Sequence, residues 1–296
     1  MTIREMLAGG PLLADGAWGT QLQARGLALG ECPDAWNLTH PDAVRAVAES
    51  YIRAGSRVIL TNTFRASPIP LRDYGLDSQV AAINAAGVRH SREAAATSDA
   101  FVFASLGPSG KMLPAGEVTE EDLRRNFAVQ SEALAAAGPD ALLIETMSDP
   151  EEARVALAAA KQTGLPVIVS FAFDTGKRRD RTMTGVTPEQ VATTMEEAGA
   201  DAVGANCGNG VEAFAGVCTR MRAVTGLPLW MKANAGMPEI AGGEAVYHTT
   251  PEEFASHLAA LLAAGASFVG GCCGTSPAFI EALRRGWPHE IPADRL

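Results

Sequence analysis

Short apolar segments alternate with longer helical patterns along almost the whole chain, and this alternation restricts the possible folds. The apolar segments are rich in Val, Ile, Leu and Phe, as in strands that are buried on both faces. They predict strands at residues 12–15, 57–61, 101–106, 141–145, 166–171, 202–206, 229–232 and 267–272. The helical patterns cover residues 41–54, 78–96, 120–137, 150–162, 188–198, 211–224, 251–264 and 277–285. Strands and helices that alternate in this way predict a parallel sheet covered by helices.

A recurring phrase marks the points at which a helix ends and the next strand begins. Ala-Gly followed by three further residues occurs at 54–58, 137–141, 198–202 and 264–268. The glycine can adopt the left-handed conformation that closes a helix. Eight strand–helix units predict a single (β/α)8 TIM barrel. An open doubly wound sheet is the alternative that this pattern leaves open.

We expect one domain over residues 1–296, because no change of composition and no Pro/Ser-rich linker divides the chain. Residues 64–77 and 174–187 are interpreted as longer insertions in loops. Residues 254–280 contain no charged side chain, but several glycines and a proline interrupt them. They therefore predict a buried helix and a buried strand rather than a membrane span.

The charge of the chain restricts its partners. Lys and Arg number 24 and Asp and Glu number 34, which gives a net charge of −10. This balance argues against binding to nucleic acid or to an anionic membrane surface. The first residues lack the apolar core of a secretory signal, and five cysteines, two of them adjacent, do not suggest a disulfide framework. We therefore expect a cytoplasmic protein.

The cysteines give the sharpest indication of chemistry. In a TIM barrel the active site lies at the C-terminal ends of the strands, where Cys207, Cys272 and Cys273 are predicted. Three thiolates with one open position are typical of a catalytic zinc ion. Two alternatives stay open, namely cysteines that act as small core residues and a disulfide between the adjacent pair. Cys32 and Cys218 are interpreted as ordinary core residues.

The type of ligand indicates the reaction. Zinc that activates water usually carries histidine ligands, whereas three thiolates donate charge and weaken that effect. Such a centre suits a fourth thiolate, which it would keep deprotonated and nucleophilic at neutral pH. The cysteines therefore indicate alkylation of a substrate thiol.

Two carboxylates are predicted at strand ends as well. Asp15 and Glu145 could hold a substrate ammonium, and the backbone amides after Asp15 could bind a carboxylate. An amino-acid thiol would match all of these groups. Alternatively, Asp15 caps the turn that follows it, or Glu145 pairs with a nearby arginine. None of the five histidines ends a predicted strand, so we interpret them as surface or helix residues.

Several motifs resemble the homocysteine S-methyltransferase family. They are DGAWGT at 15–20, NLTHPDAV at 37–44, TNTF at 61–64, ET at 145–146, GANCG at 204–208, NAG at 234–236 and GGCCGTSP at 270–277. The resemblance implies a (β/α)8 barrel in which Cys207, Cys272 and Cys273 hold Zn2+. It also implies an enzyme that methylates homocysteine, with the homocysteine sulfur on zinc, to give methionine.

The same resemblance implies roles for the other polar residues. Asp15 and Glu145 would bind the amino group of homocysteine, and the backbone near Ala17 and Trp18 would bind its carboxylate. Asn62 would lie beside the pocket. Asn234 would occupy the open zinc position when substrate is absent.

The motifs bear on the methyl donor as well. NLTHPD and TNTF look most like the homocysteine-binding module of cobalamin-dependent methionine synthase, but no histidine has the Asp-x-His-x-x-Gly corrinoid signature. The length also leaves no room for folate and cobalamin modules. We therefore expect methylcobalamin carried by a separate corrinoid protein. The alternatives are S-methylmethionine or betaine as donor, or a thiol-binding subunit without activity of its own. Aromatic residues are only 6% of the chain, which disfavours a cage for a quaternary ammonium, although Trp18 and Trp36 leave it open.

Overall fold

The strands form a closed parallel barrel in a computed structural model, which describes residues 1–241 and 244–288. Residues 242–243 and 289–296 of the expected domain, with His289, lie outside the described residues. The strands are β1 (Leu12–Leu13), β2 (Val58–Leu60), β3 (Phe101–Leu106), β4 (Ala141–Met147), β5 (Val167–Phe171), β6 (Ala202–Gly210), β7 (Leu229–Asn234), β8 (Glu239–Ala241), β9 (Glu244–Val246) and β10 (Phe268–Gly271). The parallel sheet has the order β1-β10-β7-β6-β5-β4-β3-β2, and β8 and β9 form a separate hairpin.

The two ends of this sheet meet between β1 and β2. Ala14 and Val58 form a parallel bridge, and the amide of Arg57 donates to the carbonyl of Leu13 at 2.7 Å. The predicted (β/α)8 TIM barrel is therefore confirmed, and the open sheet is excluded.

Helices surround the barrel. They are α1 (Ile3–Met6), α2 (Gly19–Gln23), α3 (Trp36–Thr39), α4 (Pro41–Ala54), α5 (Pro68–Arg72), α6 (Val80–Ala95), α7 (Glu120–Ala136), α8 (Pro150–Lys161), α9 (Pro188–Glu197), α10 (Phe214–Arg222), α11 (Pro251–Ser256), α12 (Leu258–Ala263) and α13 (Pro277–Arg285). The predicted helix at 251–264 is interrupted at His257, and the helix predicted from Val211 begins with a 3-10 turn. The short helices α1, α2, α3 and α5 were not predicted, because each covers too few residues to show a helical period.

The recurring Ala-Gly phrase behaves as predicted. All four of its glycines have a positive φ, which is 109° at Gly55, 80° at Gly138, 88° at Gly199 and 94° at Gly265. Each therefore closes the preceding helix and turns the chain into a strand.

The uncharged stretch 254–280 contains α12 and β10. None of the described helices is long and apolar enough to cross a membrane.

An apolar floor fills the N-terminal half of the barrel. The rings of Phe103, Trp230 and Phe268 lie with centroids 5.3 to 5.9 Å apart. Side chains from α1 pack against the same cluster and close that end of the barrel. Because alternate residues of a strand share one face, the next inward positions lie two residues farther along each strand. On four strands those positions are polar, namely Ser105, Glu145, Ser170 and Lys232.

Gly204 is an inward position where any side chain would disturb the barrel. A Cβ built on Gly204 would lie 1.9 Å from the backbone oxygen of Trp230. We expect Gly204→Ala to lower the free energy of unfolding by about 1–3 kcal/mol, because the neighbouring strand must move. Gly216→Ala is the matched control, since a Cβ there meets nothing within 4 Å and the site is helical. Chemical denaturation should show Gly216→Ala to be no less stable than the original protein. Equal stability of both variants would refute the steric argument.

Candidate metal and substrate site

An irregularity in β6 places Cys207 at the C-terminal mouth of the barrel. The pairing of β6 with β7 shifts register between Asn206 and Gly210, and Cys207 has a φ of 59°. Left-handed backbone at a non-glycine residue is uncommon and is concentrated at functional sites. As a result, the consecutive side chains of Asn206 and Cys207 both reach the other cysteines.

Cys272 and Cys273 directly follow β10 and are fixed against the end of β7. The amide of Cys272 donates to the carbonyl of Ala233 at 2.6 Å, and the amide of Ala235 donates to the carbonyl of Cys273 at 2.9 Å. These bonds tie the backbone of the pair to the end of β7. All five cysteines are free thiols, so the alternative of a disulfide between the adjacent pair is not what the structure shows.

The three sulfurs lie close enough to share one ion. The Sγ atoms of Cys207, Cys272 and Cys273 all lie within 4.8 Å of one another, and those of Cys207 and Cys273 are 3.9 Å apart. Tetrahedral zinc with Zn–S bonds of about 2.3 Å needs sulfurs roughly 3.8 Å apart. Cys32 and Cys218 lie elsewhere in the core, as predicted.

The electrostatics of the cluster also fit a cation. Hydrogen bonds from Cys272 and Cys273 lower the pKa of Cys207 to about 3. The hydrogen bond to Cys207 raises the pKa of Cys272 to about 11 and also raises the pKa of Cys273. The ionisation of one thiol therefore opposes the ionisation of its neighbours. A divalent cation is the group that would allow all three to ionise.

Asn234 supplies an orphan oxygen beside this cluster. Its Nδ2 donates to the carbonyl of Gly208 at 3.1 Å, and its Oδ1 is buried without a hydrogen-bond partner among the described residues. Its side chain also lies within hydrogen-bonding reach of Cys207. A buried acceptor without a partner is costly unless a ligand completes it. Asn234 and the three thiols therefore make a donor set that fits zinc.

Asp15 is wholly buried, and both of its carboxylate oxygens accept hydrogen bonds from other groups of the protein. Its Oδ1 accepts from Nζ of Lys232 at 2.5 Å. Its Oδ2 accepts from Nε1 of Trp18 and from the amide of Leu60, each at 2.8 Å. Lys232 is buried as well, and although burial opposes its charge, Asp15 and Glu145 outweigh it and raise its pKa. The alternative of a cap on the next turn is therefore replaced by a buried ion pair.

Glu145 is buried but has only uncharged hydrogen-bond donors. Its Oε1 accepts from the hydroxyl of Ser105 at 2.5 Å, and its Oε2 accepts from Nδ2 of Asn206 at 3.4 Å. No arginine forms an ion pair with it in the described part of the chain, so the alternative of an arginine partner is not observed there. Burial raises the pKa of Glu145 to about 7, although the charge of Lys232 opposes the rise.

The remaining predicted residues lie around these groups. The amide of Ala17 donates to the hydroxyl of Thr275 at 3.1 Å, and Trp18 is held by Asp15. The side chain of Asn62 donates to Pro33 and Asn37, which belong to the connection between β1 and α4. Asn62 thus anchors that connection at the end of β2, and its contact with substrate stays a prediction.

Three polar residues of the site were given no role in the sequence analysis. Lys232 and Asn206 stand at predicted strand ends, so their positions were visible but their partners were not. Tyr247 packs on Gly274 and lies close enough to Cys273 to form a hydrogen bond. It follows the β8–β9 hairpin, which no sequence pattern predicted.

Comparison with known proteins agrees with this geometry. The profile of the family described as homocysteine S-methyltransferase matches residues 12–286. The chain belongs to the homocysteine S-methyltransferase family. The matched region includes every site residue described above, from Asp15 to Cys273.

Two named relatives are much longer than this chain. The chain is 29% identical over 290 residues to methionine synthase of Mycobacterium tuberculosis, and 29% identical over 297 residues to that of Mycobacterium leprae. These matches cover 92% and 94% of this chain but only 24% of each relative. The chain thus spans about a quarter of the length of these curated relatives.

Solved structures of the homocysteine methyltransferase MmuM from Escherichia coli are similar over their full length. The metallated form has a TM-score of 0.81 and 26% identity, with 96% of this chain and 99% of that chain covered. The apo form has a TM-score of 0.74 at the same identity, with 95% and 99% covered. The backbone therefore resembles the metallated form more than the apo form.

Proposed function

We propose that this protein transfers a methyl group to the thiol of homocysteine and so produces methionine. The observation that carries the proposal is the convergence of three thiols and an orphan amide oxygen at the mouth of the barrel. Cys207, Cys272 and Cys273 would hold Zn2+. The chemistry that zinc supplies when bound is stabilisation of a substrate thiolate at neutral pH.

The other groups of the site match the remainder of homocysteine. Asp15 and Glu145 form the ammonium end of the pocket, since both are buried carboxylates next to the cysteine cluster. The backbone near Ala17 and Trp18 receives the carboxylate, and Asn62 borders the pocket. Asn234 would occupy the open metal position in the absence of substrate, because its Oδ1 is buried without a hydrogen-bond partner among the described residues.

We further propose that the methyl donor is methylcobalamin on a separate corrinoid protein. Large apolar side chains are exposed on the loops that follow β1, β3, β5 and β7, all at the face that carries the site. They are Leu29 at 75% exposure, Met112 at 44%, Met183 at 59% and Met237 at 50%. Exposed apolar residues, methionine above all, are typical of adaptable protein-binding surfaces. The five free thiols are also compatible with catalysis in a reducing cytoplasm.

A small-molecule donor is the second candidate, and one observation favours it. The chain covers 99% of the MmuM homocysteine methyltransferase but only 24% of the methionine synthases. The crystallised MmuM chain is thus matched almost completely by a barrel of this size. S-methylmethionine and betaine are the two donors of this class to be tested.

A side-by-side assay separates these possibilities. Zinc-loaded protein is incubated with homocysteine and with methylcobalamin, S-methylmethionine or betaine, and methionine is measured. We expect turnover with methylcobalamin, at a rate that a corrinoid protein increases. Turnover with S-methylmethionine or betaine alone would replace the corrinoid donor by a small molecule. Homocysteine binding without turnover from any donor would favour a non-catalytic thiol-binding subunit.

A further inference from the structure

We propose that Asn206 is a positioning residue that holds the three metal-binding sulfurs ready for their ion. Its side chain fixes the irregular ends of two strands, β4 at Thr146 and β6 at Cys207, and so sets where the sulfur of Cys207 lies. This inference rests on the proposed function, because it starts from a metal ion held by Cys207, Cys272 and Cys273.

The first observation is that the two irregular strand ends share one unusual backbone conformation. Thr146 has a φ of 61°, and Cys207 has a φ of 59°. The pairing of β4 with β5 shifts register around Thr146, and the pairing of β6 with β7 shifts register around Cys207. A left-handed conformation is uncommon for any residue with a Cβ and rare for a β-branched one such as threonine. It persists only where neighbouring groups hold it.

The side chain of Asn206 is the group that holds Thr146. Its Oδ1 accepts from the amide of Thr146 at 2.8 Å, and its Nδ2 donates to the hydroxyl of Thr146 at 2.7 Å. The hydroxyl of Ser170, on the strand between β4 and β6, donates to the same Oδ1 at 2.7 Å. Because a backbone amide can only donate, the orientation of the Asn206 amide group is defined. One wholly buried side chain therefore joins three strands.

These bonds also determine where Cys207 lies. The side chain of Asn206 points into the barrel, so strict alternation along β6 would turn the side chain of Cys207 outwards. The left-handed turn at Cys207 instead brings its Sγ to 3.9 Å from that of Cys273. The turn begins at a fixed point, because the side chain before it is locked. The arrangement of the sulfurs is thus built before an ion arrives, which lowers the cost of binding one.

The remaining donor capacity of Asn206 is directed at the site itself. Its Nδ2 lies 3.4 Å from Oε2 of Glu145 and 3.9 Å from Sγ of Cys272. The amide group has two N–H bonds and Thr146 accepts one, so the other faces this carboxylate and this sulfur. Asn206 therefore contacts a metal-binding sulfur in addition to holding the strand end that carries Cys207.

The test compares the metal affinity of variants that break this arrangement at different points. The zinc dissociation constant of each reduced protein is measured by competition with a chelator, and the visible absorption of Co2+ bound in place of zinc reports the geometry of the sulfur ligands. The variants are Asn206→Ala, Thr146→Val and the double variant. Asn84→Ala is the matched control, because Asn84 is also wholly buried and donates to two carbonyls, those of Ala66 and Val80, away from the site.

Asn206→Ala should weaken zinc binding by about 10- to 100-fold and change the Co2+ spectrum, because groups that orient metal ligands contribute this much to metal affinity. Thr146→Val removes one hydroxyl and should weaken zinc binding by about 2- to 10-fold. The double variant should match Asn206→Ala within about twofold, since Thr146 acts on the metal site through Asn206. Asn84→Ala should lose stability but keep both the affinity and the spectrum.

Three outcomes would overturn the inference. The first is an Asn206→Ala variant with the original zinc affinity and Co2+ spectrum. The second is an equal loss of zinc affinity in Asn84→Ala, and the third is a double variant in which the two single effects simply add. If Asn206→Ala does not fold, Thr146→Val decides, because unchanged affinity and spectrum there would contradict the coupling. An original protein that binds no zinc would instead refute the metal centre of the proposed function.

Discussion

Replacing Cys272 with alanine should remove zinc from the protein and abolish methyl transfer while the barrel remains folded. Three sulfurs lie within 4.8 Å of one another, and the loss of one leaves two thiolates for an ion that needs at least three protein ligands. Loss of a residue that merely supports a zinc ligand typically costs 10- to 100-fold in metal affinity, so loss of the ligand itself should cost more than about 100-fold. Metal content per chain and circular dichroism are the two measurements.

Cys218→Ala is the control for this experiment. Cys218 is fully buried in α10, away from the three site cysteines, and its Sγ contacts the carbonyl of Ala264 at 3.5 Å. This variant should lose some stability but keep its zinc. Full zinc occupancy in Cys272→Ala, or equal loss of zinc in Cys218→Ala, would contradict the assignment of the metal site.

Replacing Glu145 with glutamine should weaken the binding of homocysteine by roughly 10- to 150-fold. A hydrogen bond to a charged group contributes about 1.5–3 kcal/mol, and glutamine keeps the shape but not the charge. Zinc content should stay unchanged, because Glu145 is not among the three thiol residues of the metal cluster. Isothermal titration with homocysteine measures the effect, and Glu132→Gln on the exposed face of α7 is the matched control.

The pH dependence provides a second check on Glu145. Burial raises its pKa to about 7, so the carboxylate loses its charge as the pH falls through that value. The difference in affinity between the original protein and Glu145→Gln should therefore shrink towards pH 6 and widen towards pH 8. A difference that does not vary with pH, or unchanged binding in the variant, would make Glu145 a structural residue.

The barrel was largely predictable from the sequence, because its signal is local. Apolar runs and the Ala-Gly phrase depend on neighbours along the chain, and the predicted 101–106 and 277–285 coincide with β3 and α13. The predicted strand 202–206 ends too early, because β6 resumes its pairing with β7 after the irregularity at Cys207. Register with a neighbouring strand is a property of three-dimensional pairing, and periodicity does not reveal it.

The same distinction applies to the site. The three cysteines could be grouped because every parallel strand ends at the same face of the barrel. The pairing of Lys232 with Asp15 could not be foreseen, since these residues lie on different strands. A buried lysine also has no sequence signature of its own, because lysine is ordinarily an exposed residue.

X-ray absorption at the zinc edge, measured with and without homocysteine, tests the central claim most directly. Without substrate, zinc held by Cys207, Cys272 and Cys273 should show three sulfurs and one light atom, either water or the oxygen of Asn234. A free thiol near pKa 8.5 is mostly protonated at neutral pH, whereas a metal-bound thiol is deprotonated. Saturating homocysteine should therefore change the shell to four sulfurs. A shell that keeps three sulfurs and a light atom would contradict activation of the substrate thiol at this site.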